Sequence, residues 1–264
     1  MTSPSSSPTS TIVIRDIDTL AEMKEIEQLQ REIWGVEDLD VYPALGFKPQ
    51  KEVGAVLMGA FAEGRMVGFV FGFPGILDGE TIIHSDMLGI LPDYRSQNLG
   101  FLLKLAQRDA AIALGVKRIT WTFDPLQSRN AHFNFSKLGV IADRYYPDYY
   151  GVTSSFLHRH GTDRLWVTWL VESERVKSRL DAASAIDSGD ISQLHHLVRV
   201  GDDLEPIVTE EPISEASVVI EIPRDLTANH EQWRMATRDA FTRALDAGYV
   251  VEEFISGKYL LKKN

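Results

Sequence analysis

One stretch limits the fold of this chain more than any other. From Thr81 to Leu91 the residues are mostly apolar or β-branched, and Pro92 ends the run. A polar turn leads to Gly100, and Leu99, Leu102, Leu103, Ala106, Ala110 and Ala113 then fall on one helical face as far as Gly115. A buried strand that turns directly into a long amphipathic helix needs a sheet with a helical layer on it. With Lys117 to Phe123 reading as the next strand, the helix becomes a parallel crossover. The turn itself carries chemistry. The first turn of a helix presents unpaired N–H groups and the positive end of its dipole, which together receive phosphate oxygens. Gly100 lets an anion reach the backbone, Asn98 tolerates positive φ, and Arg95 adds a fork of donors beside Ser96.

The flanking sequence extends the same pattern. Thr11 to Ile14 reads as a strand, and Asp16 or Asp18 is placed to cap a helix bearing Leu20, Met23, Ile26, Leu29 and Ile33. Residues 36–51 are irregular, with Pro43, Gly46 and Pro49. Val56 to Ala62 and Met66 to Phe73 form a hairpin around Glu63-Gly64-Arg65. Ser128 to Lys137 reads as a short helix closed by Gly139, and Leu165 to Val171 as a strand. After the small and polar stretch 182–190 come a strand at Ser217 to Ile222, a helix at Glu231 to Ala247 and a strand at Tyr249 to Ile255. This second strand–helix–strand block is similar in places to the first. Glu221-Ile222-Pro223 parallels Ile90-Leu91-Pro92, and Thr237-Arg238-Asp239-Ala240 parallels Gln107-Arg108-Asp109-Ala110. The expected organisation is a disordered tail over 1–11, a domain over 12–171 and a C-terminal extension over 172–264, which either is a degenerate repeat of the first block or resembles it by accident, and which completes an acceptor pocket or forms a homodimer surface.

Composition removes whole classes of function. With no cysteine among 264 residues there is no disulfide, thiolate nucleophile, iron–sulfur cluster or cysteine-bearing zinc site, which fits a reducing, cytoplasmic setting. Lys and Arg number 27 against 38 Asp and Glu, and the net charge of −11 argues against nucleic-acid and anionic-membrane partners. No apolar run approaches the roughly 18 residues of a membrane span. The Ser/Thr/Pro-rich N-terminus lacks the apolar core of a signal peptide. His158 with His160, and His195 with His196, lack further ligands at metal-site spacing, so no metal is expected.

Arg95-Ser96-Gln97-Asn98-Leu99-Gly100 resembles the acyl-CoA turn of the GNAT acetyltransferase superfamily, Gln/Arg-x-x-Gly-x-Gly/Ala, with Asn98 in place of the first glycine. Leu88, Ile90, Pro92, Tyr94 and Arg95 before the turn fit the same family, as do Ala131, Phe135 and Lys137-Leu138-Gly139 after the helix. Trp121 to Pro125 with Ser128-Arg129-Asn130-Ala131 looks like a subgroup of predicted bacterial GNAT proteins with an extra C-terminal region. The resemblance implies an α+β fold with a mixed, mostly antiparallel sheet and helices on both faces. It also implies acetyl-CoA as acyl donor, a pantetheine arm on the main chain of Leu88 and Ile90, and a pyrophosphate on the amides of Arg95, Ser96, Gln97, Asn98, Leu99, Gly100 and Phe101. Ser128 or Asn130 would touch the pantetheine.

Transfer to an amine needs a place for the amine's proton and sometimes an acid for the leaving thiolate. His84, Asp86, Leu88 and Ile90 alternate along one strand, so His84 is the expected base, with Asp86 orienting it or holding a cationic acceptor. Satisfying hydrogen bonds within the sheet is the alternative role of His84. The family's frequent acid, a tyrosine, is Phe135 here. Tyr145, Tyr146, Tyr149 and Tyr150 follow around Pro147, either as an aromatic wall or as a source of that proton through Tyr149. Asp124 reads as a loop cap before Pro125, with acceptor binding as the alternative, and Trp166 and Trp169 read as packing residues. The expected function is acyl-CoA-dependent N-acylation of a small-molecule amine by direct attack. The alternative is a non-catalytic CoA-binding or regulatory module, to which Asn98 and Phe135 point.

Overall fold

The computed structural model describes residues 11–151, 153–181 and 191–263. Most of the N-terminal tail and the stretch 182–190 lie outside the described residues. The chain packs as two compact units, one made of everything up to Val116 with Ser154–Phe156, the other of Lys117–Thr153 and Leu157 onward.

The first unit contains β1 (Ile12–Asp16), α1 (Leu20–Trp34), α2 (Ala44–Glu52), β2 (Val56–Ala62), β3 (Arg65–Leu77), β4 (Glu80–Ile90) and α3 (Leu99–Ala113). Its strands form an antiparallel meander in chain order. Glu63 and Gly64 both have positive φ, at 51° and 83°, as a tight β2–β3 hairpin requires. The cap of α1 is Thr19, in place of either expected aspartate. Its hydroxyl accepts from the Glu22 amide at 3.2 Å while the Glu22 carboxylate accepts from the Thr19 amide at 3.1 Å. Asp18 pairs instead with Lys51 at 2.7 Å. The irregular stretch 36–51 contains α2, which forms in spite of Pro49 because Phe47 and Ala44 are buried in the core. Adjacent strand residues show that helices cover both faces. Phe71 packs on Phe47 of α2 at 4.9 Å, whereas a Cβ at Gly72 would lie 2.8 Å from Gln107 of α3.

The second unit contains β5 (Arg118–Phe123), α4 (Ser128–Ala131), β6 (Ile141–Tyr146), β7 (Arg164–Leu170), α5 (Glu174–Leu180), β8 (His195–Val200), β9 (Pro206–Val208), β10 (Ser217–Glu221), α6 (His230–Asp246), β11 (Tyr249–Ile255) and β12 (Lys258–Lys263). The helix at α4 continues as a π-helix over His132–Leu138 and ends at Gly139, φ 73°. The strand order is β5-β7-β6-β11-β12-β10-β8-β9, and only β8 with β10 is a parallel pair.

Two blocks of this unit share one topology. In each, a strand leads through a helical segment to a second strand, and a third strand inserts between them, giving β5-β7-β6 and β10-β12-β11. They meet at β6 and β11, antiparallel at Ala142 and Val251. Each block's helical segment packs on the strand by which the other block joins this seam. Ser136 donates to the Phe254 carbonyl at 2.6 Å, and Phe241 of α6 stacks on Tyr145 at 5.5 Å. The C-terminal block therefore has the strand order of 118–170, whereas the short sequence identities point to 81–123.

Candidate active site

The turn after β4 folds as its sequence dictates. Pro92–Gln97 makes two 3₁₀ turns, and Asn98 takes the left-handed conformation at φ 58°, ψ 17°, filling the role of the missing glycine. The Asn98 carbonyl accepts from Phe101 at 3.1 Å and Leu102 at 3.2 Å, so the amides of Leu99 and Gly100 are the first of α3 and have no intrahelical acceptor. A Cβ at Gly100 would meet only Leu88 Cδ2, at 3.9 Å. Packing does not demand glycine there; the room lies over the open amides, which fits an approaching diphosphate. Arg95 is exposed, and its Nε donates to the Ile90 carbonyl at 3.2 Å, tying the guanidinium to the end of β4.

A bulge in β4 overturns the expected alternation. Phe71 pairs with Met87 and Gly72 with Ser85, so Asp86 has no partner in the β3 ladder. Before the bulge, His84 lies beside Phe73, ring centroids 5.5 Å apart, on the face that carries α1 and α2. Beyond it the phase is reversed. Leu88 turns toward α3 and Gly89 toward Ile33 and Trp34 of α1. His84 and Leu88 therefore do not share a face.

Beneath the bulge sits a lysine that sequence reasoning missed. Lys104 of α3 is 2% exposed, and its Nζ donates to Ser85 Oγ at 2.8 Å and to Gln107 Oε1 at 3.0 Å. Burial holds its pKa well below the ordinary lysine range. Burial, with the Lys104 charge second, lowers His84 to about 4. The imidazole is thus unprotonated at neutral pH. Lys104 escapes detection from sequence because a lysine on a helix usually extends to solvent.

On the opposite face, the one that carries α1 and α2, stands Tyr42, also missed, in the connection between those helices. Its backbone is clamped by Gln30, which accepts from the Tyr42 amide at 2.8 Å and donates to its carbonyl at 3.0 Å. Its ring packs on Phe47 and Phe71, and its hydroxyl accepts from the Gln50 side chain. Burial and the nearby Asp86 carboxylate raise the phenol's pKa.

The remaining expected residues belong to the second unit. Ser128 is half-buried and Asn130 exposed at the start of α4. Phe135 is fully buried between Phe123 and Tyr259, so no hydroxyl replaces the family's tyrosine at that place. Asp124 accepts from the Leu126 amide at 3.0 Å, the expected cap. It also takes both arms of Arg234 from α6, at 2.6 and 2.9 Å. Tyr145 donates to Asp163 at 2.6 Å, and Arg238 closes on that same carboxylate at 2.7 Å. Tyr149, 42% exposed, packs edge-on against Tyr150, which stacks on His158. Trp169 is buried and donates to the Leu138 carbonyl at 2.7 Å. Among the described residues no cluster of three or more His, Asp or Glu could hold a metal ion, and no helix is long and apolar enough to cross a membrane.

An antiparallel meander whose last strand passes through such a turn into a long helix, with helices on both faces, offers a place where a diphosphate can be held. Residues 20–139 match the model of the acetyltransferase (GNAT) family. A GNAT-family protein from Desulfovibrio desulfuricans has a similar fold at a TM-score of 0.50, with 11% identity over 61% of this chain and 99% of its own. The ribosomal-protein-S18-alanine N-acetyltransferase from Escherichia coli aligns at 0.49, with 15% identity over 62% and 96% of the two chains. Aminoglycoside 6'-acetyltransferase type Ii aligns at 0.49, with 18% identity over 61% and 98%. A search of curated proteins finds no match.

Proposed function

We propose that the protein acetylates the amine of a small molecule, with 12–171 as its acyl-CoA-binding domain and 172–264 as an extension of it. The observation that carries this reading is the Asn98–Gly100 turn, where a left-handed residue opens α3, its first amides have no intrahelical acceptor and the space above Gly100 is unobstructed. The amides from Arg95 to Phe101 would hold the diphosphate, and the main chain of Leu88 and Ile90, with Ser128 or Asn130, the pantetheine. When bound, acetyl-CoA supplies an acyl thioester that an amine attacks directly, so no protein nucleophile is needed.

Within the chain, His84 receives the acceptor's proton. Held near 4, it is available at neutral pH, and as a weak base it passes the proton readily to water. Tyr149 is the exposed hydroxyl assigned to the leaving thiolate, since Tyr145 is engaged by Asp163. The acidic net charge disfavours anionic macromolecular acceptors. Calorimetric titration with CoA, followed by thiol release from acetyl-CoA over a panel of amines, tests the reading. Micromolar CoA binding and amine-dependent thiol release are expected, and the absence of CoA binding at millimolar concentration would overturn it.

A further inference from the structure

The face of β5 and β7 turned away from Phe135 and Phe241 holds a buried charge that no acid of the chain answers. Thr122 pairs with Trp166 across these strands, and Arg164, two residues before Trp166, projects from the same face. Arg164 is 7% exposed, yet among the described residues it forms no ion pair. Its partners are all neutral. It donates to the Asp163 carbonyl at 2.9 Å and to His158 Nε2 at 2.7 Å, with the Tyr150 hydroxyl as a further partner. A guanidinium only donates, so His158 accepts as an uncharged imidazole and keeps its proton on Nδ1, which donates to Thr153 Oγ1 at 2.6 Å. The neighbouring acids are spent. Asp124 takes both arms of Arg234 and the Leu126 amide, and Asp163 takes Tyr145, the Asp148 amide and Arg238. Two other arginines of this unit that are about as buried, Arg234 and Arg179, hold Asp124 and Glu253. Burial lowers the Arg164 pKa, whereas the Asp163 carboxylate raises that of Arg238. A buried cation without an anion is costly, and this fork carries more N–H donors than its partners take up.

The surroundings of the guanidinium suit a ligand. Its Cζ lies 5.0 Å from the centroid of the Tyr150 ring, His158 stacks on that ring at 5.4 Å, and Thr122 Oγ1 is 3.5 Å from the Tyr150 hydroxyl. Tyr149 and Tyr150 are nevertheless 42% and 44% exposed, so an aromatic edge open to solvent leads to a fixed, buried cation. Tyr149, assigned above to the leaving thiolate, meets Tyr150 at 4.9 Å, which sets the cation beside the proposed reacting centre. A planar fork matches a carboxylate, whose charge persists while a neighbouring amine reacts. A zwitterion, unlike a polyanion, is not repelled by a net charge of −11. Resting on the acetyltransferase reading above, we infer that Arg164, with Tyr150 and Thr122, forms a carboxylate subsite, and that the acceptor is an amino acid whose carboxylate docks there while its amine is acetylated.

The test compares glycine, L-leucine and L-phenylalanine, each with its primary amide, using acetyl-CoA and the full chain. The amide keeps the amine and the side chain and removes only the negative charge. The expected result is a kcat/KM for at least one acid about tenfold or more above that for its amide. In R164Q that ratio collapses toward one, and Y150F reduces it in part. R164K, which keeps the charge without the planar fork, retains only part of the preference and serves where R164Q does not fold. Acids no better than their amides in the wild type overturn the inference. So does an R164Q that slows acid and amide by one factor, since Arg164 would then only support the loop around His158. Calorimetric titration of the N-acetyl derivatives of the same amino acids into the free protein and into its CoA complex separates the subsite from the enzymatic reading. Binding that R164Q abolishes sustains the subsite even where no amine is turned over. Absence of that binding in a wild type that binds CoA and acetylates the amides removes the subsite and leaves the transferase.

Discussion

Replacing Gly100 by alanine should move stability and cofactor binding in opposite directions. Gly100 is the second residue of α3 and does not have positive φ, so the helix accepts an alanine without strain. The added Cβ would have Leu88 Cδ2 at 3.9 Å as its nearest protein atom, an ordinary van der Waals contact. Loss of the glycine's unfolded-state freedom should then stabilise the protein by about 0.5 kcal/mol. For a chain of this size that raises the midpoint of thermal unfolding by about 1–2 °C. The same methyl group projects over the amides proposed to hold the diphosphate. A charge-assisted hydrogen bond lost there is worth about 1.5–3 kcal/mol, so CoA affinity should fall about tenfold to a hundredfold. Scanning calorimetry of the free protein and isothermal titration with CoA measure the two effects separately. A G100A protein that binds CoA within about twofold of wild type would refute the role of the turn, and one that is also destabilised would show that packing had been misread.

Further perturbations probe the Arg234–Asp124 pair and the half-buried His84. Arg234 and Asp124 are 7% and 11% exposed and bonded at both ends, so R234M leaves a buried carboxylate unpaired and should cost about 3 kcal/mol or more in urea unfolding; a cost under about 1 kcal/mol would refute the burial of the pair. The apolar double variant D124L/R234M should recover most of that loss, since no charge is then stranded. For His84, a pKa lowered from 6.5 to about 4 means that the folded state holds fewer protons than the unfolded chain between these values. Its contribution is therefore complete above pH 6.5 and is lost as pH falls toward 4. Proton NMR of the imidazole should give a midpoint near 4, H84Q should flatten the stability profile in that window, and a midpoint near 6.5 would contradict the assigned burial.

Periodicity made most of the elements legible. The hairpin needed only Glu63-Gly64 between two apolar runs, α1 showed its buried stripe at Met23, Ile26, Leu29 and Ile33, and α3 announced both its start at Asn98 and its stop at Gly115. Even the departure from the family's first glycine was interpretable, because asparagine adopts the left-handed conformation at modest cost. Features set by tertiary packing stayed hidden. Nothing local marks Asp86 as the extra residue of a bulge, and one inserted residue reverses the face of everything after it. Lys104 sits at a helix position that usually faces water, and its burial becomes intelligible only with Ser85 and Gln107 placed around its ammonium. The helix α2 was obscured by Pro43 and Pro49, yet Phe47 and Ala44 bury enough surface to hold it. Tyr42 shows the same limit: its position depends on a glutamine twelve residues earlier, a contact no motif encodes.

The shared topology of the two blocks in the second unit explains why the C-terminal region is present in the chain at all. With only the first block, β6 would be an edge strand with unpaired backbone groups and with Tyr145 and Phe135 uncovered beside it. In the full chain β11 pairs with that edge, Phe241 and Tyr259 cover the two aromatic rings, and Ser136 finds its acceptor on Phe254. Phe241 and Tyr259 are fully buried in return, and Arg234 and Arg238 neutralise Asp124 and Asp163. Each block is thus incomplete without the other, as two copies would be in a symmetric dimer. A fragment ending at residue 171 should expose the β6 edge, the aromatic surface and two stranded carboxylates together. It is expected to be insoluble, or to associate in a concentration-dependent way in sedimentation experiments, and co-expression with 172–264 should restore solubility. A soluble, monomeric 1–171 that unfolds cooperatively would mean that the first block closes on itself and that the C-terminal block exists for some other reason.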